Sequence, residues 1–460
     1  MTSNEAFQFL DSLVDYEKTT TFAYDAMKLD RFRLLLSALG NPQDSFQSIH
    51  VAGSRGKGST CAMVYSILRE AGFTVGLYTS PHLIRRNERI RLARGTEDRE
   101  IDNGEFARWV LKVKPAVERL EREGQGESTF FEVLTAISFL FFKEKKVDFA
   151  ILEVGMGGRL DATNVAHPLV AAITPISFDH TDKLGTTLSA IAREKAQILK
   201  RGASAVIAYQ EEEPLSEIRK RAEEVGVIPL EVSSRYAYEI VEKSEKGSGF
   251  HVIGKQEILS GLFLPLLGEH QVQNALVAIT ICDAMREKGF TISHNAVRQG
   301  LSKVVWPGRF QILEEHPALV VDGAQNGASA LVLKETFLDF FKGRPLRLIL
   351  GISANKEVDA VCRILCPLAE EVVVTQARSA RALEAEALKG YALPYSRRLE
   401  AAPSVEKALE RLHREAGRDE VILVTGSLYL VGEVLALTRH EEVKMQRSKK
   451  QRFFSVSLLL

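Results

Sequence analysis

From Ser48 to about Ile198, short apolar runs closed by Gly, Ser or a charged residue alternate with longer segments of helical period. Alternation of that kind predicts a parallel sheet with helices on both faces. Strands are expected over Ser48–Ala52, Thr74–Thr79, Val147–Leu152 and Val170–Pro175, with helices at about 58–71 and 131–143 between them. From about Tyr236 to Leu267 the pattern shortens into alternating runs broken by Lys246-Gly-Ser-Gly249 and Ser260-Gly261, which predicts a small antiparallel β appendage. Two helical segments, 271–288 and 293–303, lead to Trp306-Pro-Gly-Arg-Phe310, where Pro-Gly marks a break. Beyond it, Ala318–Val321, Arg347–Leu350, Glu371–Thr375 and Val421–Val424 read as strands, each followed by a helical stretch. The pattern thus predicts one α/β domain with a β appendage over 1–305 and a second α/β domain over 306–445. Residues 446–460 read as a tail, entered through the basic stretch Lys444–Arg452 and ending apolar.

Composition agrees with this division and narrows the partners. A chain of 460 residues exceeds one ordinary core. With 45% hydrophobic and 26% charged residues it has the balance of a folded soluble protein. Sixty basic side chains against sixty acidic ones leave a formal net charge of +0. No global field exists to draw in nucleic acid or an acidic membrane, so small-molecule partners are expected. The first residues lack a basic segment followed by an apolar core, and no apolar run approaches the roughly 18 to 20 residues of a membrane span. A cytoplasmic monomer is the expectation. Cys61, Cys282, Cys362 and Cys366 are too few for a disulfide framework and read as buried free thiols.

Chemistry concentrates after the predicted strands. Gly53-Ser-Arg-Gly-Lys-Gly-Ser-Thr60 follows an apolar strand and opens a helix, the setting in which backbone N–H groups and a helix N-terminus hold phosphate oxygens. Its glycines allow a tight turn around an anion, Lys57 can neutralise outer phosphates, and Ser59 or Thr60 can offer a hydroxyl to phosphate or Mg2+. The first two glycines are separated by two residues rather than the four of the usual Walker A. The expected class is therefore α/β, with a parallel-sheet P-loop ATPase-type N-terminal domain and a Rossmann-like C-terminal one. Ser80-Pro-His82, Glu153 and Asp179-His180 each follow a further strand, and ligands of open α/β sheets bind at that carboxyl edge. A carboxylate and a hydroxyl suit Mg2+ bridged by nucleotide phosphates, and an imidazole can complete a second metal position. The loop Glu153–Asn164, rich in glycine, suggests close backbone approach to a substrate.

Together these segments resemble the folylpolyglutamate synthase and dihydrofolate synthase family, the folate branch of the Mur ligases. The motifs are His50-Val-Ala-Gly…Gly-Lys-Gly-Ser59, Thr79-Ser-Pro-His-Leu83, Glu153-Val-Gly…Gly-Gly-Arg-Leu-Asp-Ala-Thr-Asn164, Phe178-Asp-His180, Arg193-Glu-Lys-Ala196, Pro307-Gly-Arg-Phe310 and Gly426-Ser-Leu-Tyr429. They stand in the family's order, from about Ala6 to Leu437. The resemblance implies an ATP-dependent ligase that joins L-glutamate to dihydropteroate or a reduced folate. ATP is its co-substrate and Mg2+ its metal. It implies ATP contacts at Ser54, Arg55, Gly56, Lys57, Gly58, Ser59, Asn274, Arg309 and Asp322, and metal ligation by Ser80, Glu153 and His180. Lys57, Lys195 and His180 take catalytic roles, with Lys195 aligned to a carbamylated lysine. Thr129, Phe131, Leu160, Asp161 and Ala162 fall where the family binds the pterin. By residue type alone, Lys195 would be a solvated helix cation, Asn274 a cap and Arg309 a surface pair. Three departures stand out: Arg55 where Asn is common, Gln325 where His is common, and Ser353-Ala-Asn-Lys356 in place of a more acidic stretch. A P-loop ATPase acting as a switch or transporter is the competing class, and it would hydrolyse ATP with neither pterin nor glutamate. Peptidoglycan Mur ligases are disfavoured because only about 50 residues precede the loop, too few for the domain that holds their sugar nucleotide.

Overall fold

The computed structural model describes residues 3–18, 24, 27, 29–255 and 257–439. The expected tail, 446–460, lies outside the described residues. The chain divides into two compact units, Met1–Trp306 and Pro307–Leu460.

In the first unit, eight strands form one sheet: β1 (Gln47–Ala52), β2 (Val75–Tyr78), β3 (Ile90–Arg94), β4 (Glu97–Glu100), β5 (Phe149–Glu153), β6 (Pro168–Ile173), β7 (Ser204–Ile207) and β8 (Pro229–Glu231). Their order is β4-β3-β2-β5-β1-β6-β7-β8, with β2, β5, β1, β6, β7 and β8 parallel. The central strands are apolar on both faces because helices cover both, and β5 is buried at every position. The hydrophobic pattern predicts no strand at 90–100. There β3 and β4 extend the edge as an antiparallel hairpin, pairing Arg91 with Glu100 and Arg94 with Glu97. Their charge is the mark of an edge hairpin, which masked the two-residue period.

Gly53 and Gly56 lead from β1 into the helix Lys57–Glu70, in which Gly58 to Leu68 are all buried. That helix packs in one apolar cluster with the helices Glu269–Glu287 and His294–Ser302. The appendage is a three-stranded antiparallel sheet of β9 (Tyr236–Ser244), β10 (Gly247–Gly254) and β11 (Ile258–Leu264), in the order β11-β10-β9. Its inward residues Phe250, Val252, Leu262 and Leu264 belong to that same cluster, so the appendage is anchored by the domain core.

In the second unit, six strands follow the order β12-β13-β17-β14-β15-β16: β12 (Gln311–Glu315), β13 (Ala318–Val321), β14 (Leu346–Leu350), β15 (Glu371–Val374), β16 (Leu399–Ala401) and β17 (Val421–Thr425). All are parallel except β12, an antiparallel edge. All four cysteines are buried free thiols. No described helix is long and apolar enough to cross a membrane.

Candidate functional site at the carboxyl edge

The glycine-rich loop is shaped by close neighbours. A Cβ on Gly53 would lie 1.9 Å from the Thr174 hydroxyl oxygen, and one on Gly56, at φ +82°, would lie 2.3 Å from Oδ1 of Asn274. Asn274 therefore sits directly against the loop from the Glu269–Glu287 helix, 5% exposed, rather than capping anything. The other side of the loop is tied to the segment leaving β6. The N–H groups of Ser54 and Arg55 both donate to the Pro175 carbonyl, at 3.0 and 3.2 Å, and the Ser54 hydroxyl donates to the Ser177 carbonyl at 2.8 Å. Burial lowers the Arg55 guanidinium below its usual range, against the opposing charge of Glu211. Gly58 and Ser59 open the helix, and the indole of Trp306 packs so close to Gly58 that a Cβ would meet its ring at 2.8 Å.

Two lysines converge on one atom. Lys57 Nζ donates to the Gly53 carbonyl at 3.1 Å and Lys195 Nζ donates to the same oxygen at 2.9 Å. Lys195 is 2% exposed, which corrects the solvated cation that its residue type alone suggests. It reaches the loop from the helix Leu188–Ala196.

Ser80 and Glu153 meet as well. The Ser80 N–H donates to Glu153 Oε2 at 3.0 Å, and Glu153 is buried at the end of β5. His180 adopts a left-handed backbone (φ 52°) at the start of the short helix Thr181–Leu184, and its Nε2 lies 3.7 Å from Asp179 Oδ2. Among the described residues no three His, Cys, Asp or Glu side chains form a ready-made metal cage. The donors expected for a metal are the buried Glu153 carboxylate and the Ser80 hydroxyl, with the His180 imidazole on the loop that follows β6. That set fits Mg2+, which takes one or two protein carboxylates and completes its octahedron with water and phosphate oxygens.

The residues aligned with pterin binding surround the next loop. Phe131 faces the Tyr78 ring, with centroids 5.9 Å apart, and a Cβ on Gly155 would touch its edge at 2.8 Å. Thr129 caps the helix Phe130–Lys145, its hydroxyl accepting the Glu132 N–H while Glu132 Oε2 accepts the Thr129 N–H. Arg31 holds the Glu132 carboxylate with two contacts at 2.7 and 2.8 Å. Asp161 is 1% exposed. Its Oδ2 accepts the N–H groups of Gly155 and Met156, and its Oδ1 accepts the N–H and hydroxyl of Thr163. Burial pushes the Asp161 carboxyl upward, opposed by those four hydrogen bonds. The side-chain oxygens of Thr129 and Asp161 are thus committed to shaping the backbone. Leu160, half-buried, and Ala162, 2% exposed, complete the turn.

Beneath this loop lies a residue to which the sequence pattern assigns no role. His50, a polar position inside apolar β1, contacts Thr163 Oγ1 through Nε2 at 2.8 Å. Because the Thr163 hydroxyl donates to Asp161, the imidazole must be the donor to Thr163. Burial holds His50 neutral, its pKa lowered to about 3. Its signals in sequence are its place at the head of the His50-Val-Ala-Gly motif and its polarity where a buried strand should be apolar.

In the second unit, Asp322 follows β13 and organises the turn before it. Its Oδ2 accepts the Phe310 N–H at 2.9 Å and its Oδ1 the Ala324 N–H at 2.8 Å. Arg309, adjacent in that turn, lies close to Gly323, where a Cβ would be 3.4 Å from its guanidinium. The backbone N–H groups of Gln325 and Asn326 both reach the Ser329 hydroxyl.

Residues 51–282 match the family model for the Mur ligase middle domain, and residues 308–428 match that for the Mur ligase glutamate ligase domain. The Bacillus subtilis protein named dihydrofolate synthase/folylpolyglutamate synthase is 34% identical over 408 residues, covering 88% of this chain and 94% of its own. The Lacticaseibacillus casei folylpolyglutamate synthase is 32% identical over 434 residues, 92% and 98% of the two chains. Among solved structures, Mycobacterium tuberculosis folylpolyglutamate synthase complexed with ADP is similar with a TM-score of 0.85 at 31% identity, covering 95% of this chain and 98% of that one. An Escherichia coli protein solved with DHPP and ADP has a TM-score of 0.83 at 29% identity, covering 96% and 99%. On these likenesses and on the site just described, the chain belongs to the Mur ligases, within the folylpolyglutamate synthase and dihydrofolate synthase family.

Proposed function

We propose that this enzyme is an ATP-dependent ligase that forms an amide between a carboxyl group of dihydropteroate, or of a reduced folate, and the amine of L-glutamate. ATP phosphorylates the substrate carboxylate, the glutamate amine attacks the acyl phosphate, and ADP and phosphate leave. The observation that carries this reading is the convergence of Lys57 and Lys195 on the Gly53 carbonyl, at the mouth of a phosphate-type loop whose other wall is Asn274.

The protein's task is positioning and charge stabilisation, since phosphoryl transfer asks little covalent chemistry of it. The loop N–H groups of residues 56–59 would hold phosphate oxygens at the helix N-terminus, while those of Ser54 and Arg55 tie the loop to the Pro175 carbonyl. Lys57 would neutralise charge developing on the transferring phosphoryl group. Ser80 and Glu153 would hold Mg2+, with His180 at a second metal position; the metal would supply neutralisation of phosphate charge. Carbamylation of Lys195, which is 2% exposed, would turn a pair of like charges beside Gly53 into one of each sign. Thr129, Phe131, Leu160, Asp161 and Ala162 would frame the pterin, Phe131 offering a ring face for stacking. Arg309 and Asp322 are proposed to serve ATP, Asp322 through the turn that carries Arg309. Domain limits of 1–305 and 306–445 are proposed for the two parts.

The test is ADP release with dihydropteroate plus glutamate, compared with tetrahydrofolate plus glutamate, in the wild type and in Lys57→Ala and Glu153→Ala. Turnover that needs both acceptor and glutamate, and that falls by roughly 100-fold or more in each variant, is expected. ATP hydrolysis indifferent to acceptor and glutamate would assign the chain to the switch or transport ATPases instead.

A further inference from the structure

The connection from β2 to β3 is held more firmly than a metal ligand on it requires. Thr79 N–H donates to the Arg89 carbonyl at 3.0 Å and closes the loop at its base. The Glu88 carboxylate gathers the N–H groups of Leu83, Ile84 and Arg85. Arg89 is 1% exposed, and its charge is met by Glu17 through contacts of 2.8 and 2.5 Å. Its remaining Nε–H donates to Nδ1 of His82 at 2.9 Å.

That contact fixes the chemistry of the imidazole. A guanidinium does not surrender its proton, so Nδ1 must present a lone pair and the ring hydrogen must sit on Nε2. Nε2 has no hydrogen-bond partner among the described residues. His82 is thus a donor whose ring is held in orientation and whose single N–H is unspent. The anchor also gives its place. The Arg89 guanidinium lies 5.4 Å over the ring of Phe130, next to Phe131 and one residue beyond Thr129, whereas Ser80, two residues before His82, is tied to Glu153. The loop therefore runs between the turn framing the pterin and the carboxylate assigned to the metal. In a substrate that stretches from one to the other, the reacting carboxyl group falls in that interval.

We infer that the Nε2–H of His82 donates a hydrogen bond to the substrate carboxyl group that becomes phosphorylated, orienting it and stabilising oxygen charge as the acyl phosphate forms and is attacked. Arg89 and Glu17 are the positioning residues of this contact. The inference rests on the ligase reading above. It adds a contact to the acyl acceptor rather than to the nucleotide.

Two amides separate the contact from a structural role. Asparagine at 82 can still accept from Arg89 but has no donor at the Nε2 position, while glutamine places an N–H near Nε2 and gives up the native acceptor. The full-length enzyme is assayed with Mg-ATP, dihydropteroate or tetrahydrofolate, and glutamate. For His82→Asn, kcat is expected to fall by roughly 100-fold with KM for ATP within about 3-fold of wild type, and His82→Gln should recover at least tenfold of that loss. The reverse ranking, with His82→Asn active and His82→Gln impaired, would show that His82 only supports Arg89 and would overturn the inference, as would two variants of wild-type kcat. Absence of glutamate-dependent turnover in the wild type itself would instead remove the ligase reading and this contact with it.

Discussion

Thr163→Val tests the hydrogen-bonded chain beneath the Glu153–Asn164 loop, proposed to frame the pterin, because valine keeps the shape of threonine and deletes only the hydroxyl. Two contacts vanish: His50 Nε2–H to Thr163 Oγ1 at 2.8 Å, and the Thr163 hydroxyl to Asp161 Oδ1 at 2.5 Å. His50 is fully buried and its Nδ1 already has no partner, so the ring would keep no hydrogen bond at all. It cannot recover by protonating near neutrality, since burial holds its pKa at about 3. An unsatisfied buried N–H costs about 1–3 kcal/mol and a lost hydrogen bond to a carboxylate about 1.5–3 kcal/mol. The new buried methyl returns about 0.8 kcal/mol. The net loss is about 3 kcal/mol, which for a unit of this size is a drop of about 5 °C in the thermal midpoint. Differential scanning calorimetry measures it. Since Asp161 holds the N–H groups of Gly155 and Met156, the KM for the pterin substrate should rise roughly tenfold while KM for ATP stays within twofold. A midpoint within 1 °C of wild type, together with an unchanged pterin KM, would refute the reasoning.

Gly56→Ala places a methyl at φ +82° and 2.3 Å from Asn274 Oδ1, so Asn274 must leave the loop. Nucleotide affinity, read by calorimetric titration with ADP, should weaken by at least tenfold; a change under twofold would mean that Asn274 and the loop are not coupled. Lys200 donates to the carbonyls of Asn164 and Ala166, and burial, with Arg33 second, lowers its ammonium to about 8. Between about pH 8 and 10.5 the unfolded chain then holds the extra proton, so the stability traceable to Lys200 rises with pH across that window, by about 3 kcal/mol at most. In urea unfolding, Lys200→Gln should lose ground to wild type between pH 7.5 and 10. A difference independent of pH would contradict the shift.

The parts of the fold legible in sequence are those where burial on two faces forces an unbroken apolar run. The expected strands Ser48–Ala52 and Val147–Leu152 correspond to β1 and β5 with ends displaced by one or two residues, the usual uncertainty of terminal hydrogen bonds. The hairpin of β3 and β4 escapes because its Arg and Glu positions pair across the strands at the solvated edge. β7 and β8 escape because four and three residues carry too little period. In the site, Gly, Lys and the strand–loop–helix context mark the phosphate-type loop without help. Asn274 and Lys195 need the family pattern, because what brings them to the loop is packing across sequence separations no local period records. His50 and Thr163, 113 positions apart, are the limiting case: each is ordinary alone, and their contact completes the hydrogen-bonded chain through which Asp161 holds the loop after β5.

The same contrast explains how the site divides its polar groups. Thr129 and Asp161 turn their oxygens inward on backbone N–H groups, so these acceptors serve geometry and add little free negative charge at the carboxyl edge of the first sheet; Asp322 does the same in the second unit. The cations do the opposite. Lys57 and Lys195 lie no farther apart than two hydrogen bonds to one carbonyl laid end to end, and both stand beside the positive end of the Lys57–Glu70 helix. Between two such unit charges about 6 Å apart the pairwise repulsion is about 3 kcal/mol at an effective dielectric constant of about 20. The proposed carbamylation of Lys195 reverses the sign of that one interaction, so the Lys57 ammonium, which shares the Gly53 carbonyl with it, gains a neighbouring anion in place of a cation. On that reading Lys195→Ala removes a partner that steadies Lys57, whereas Lys57→Ala removes the charge proposed to face the phosphates.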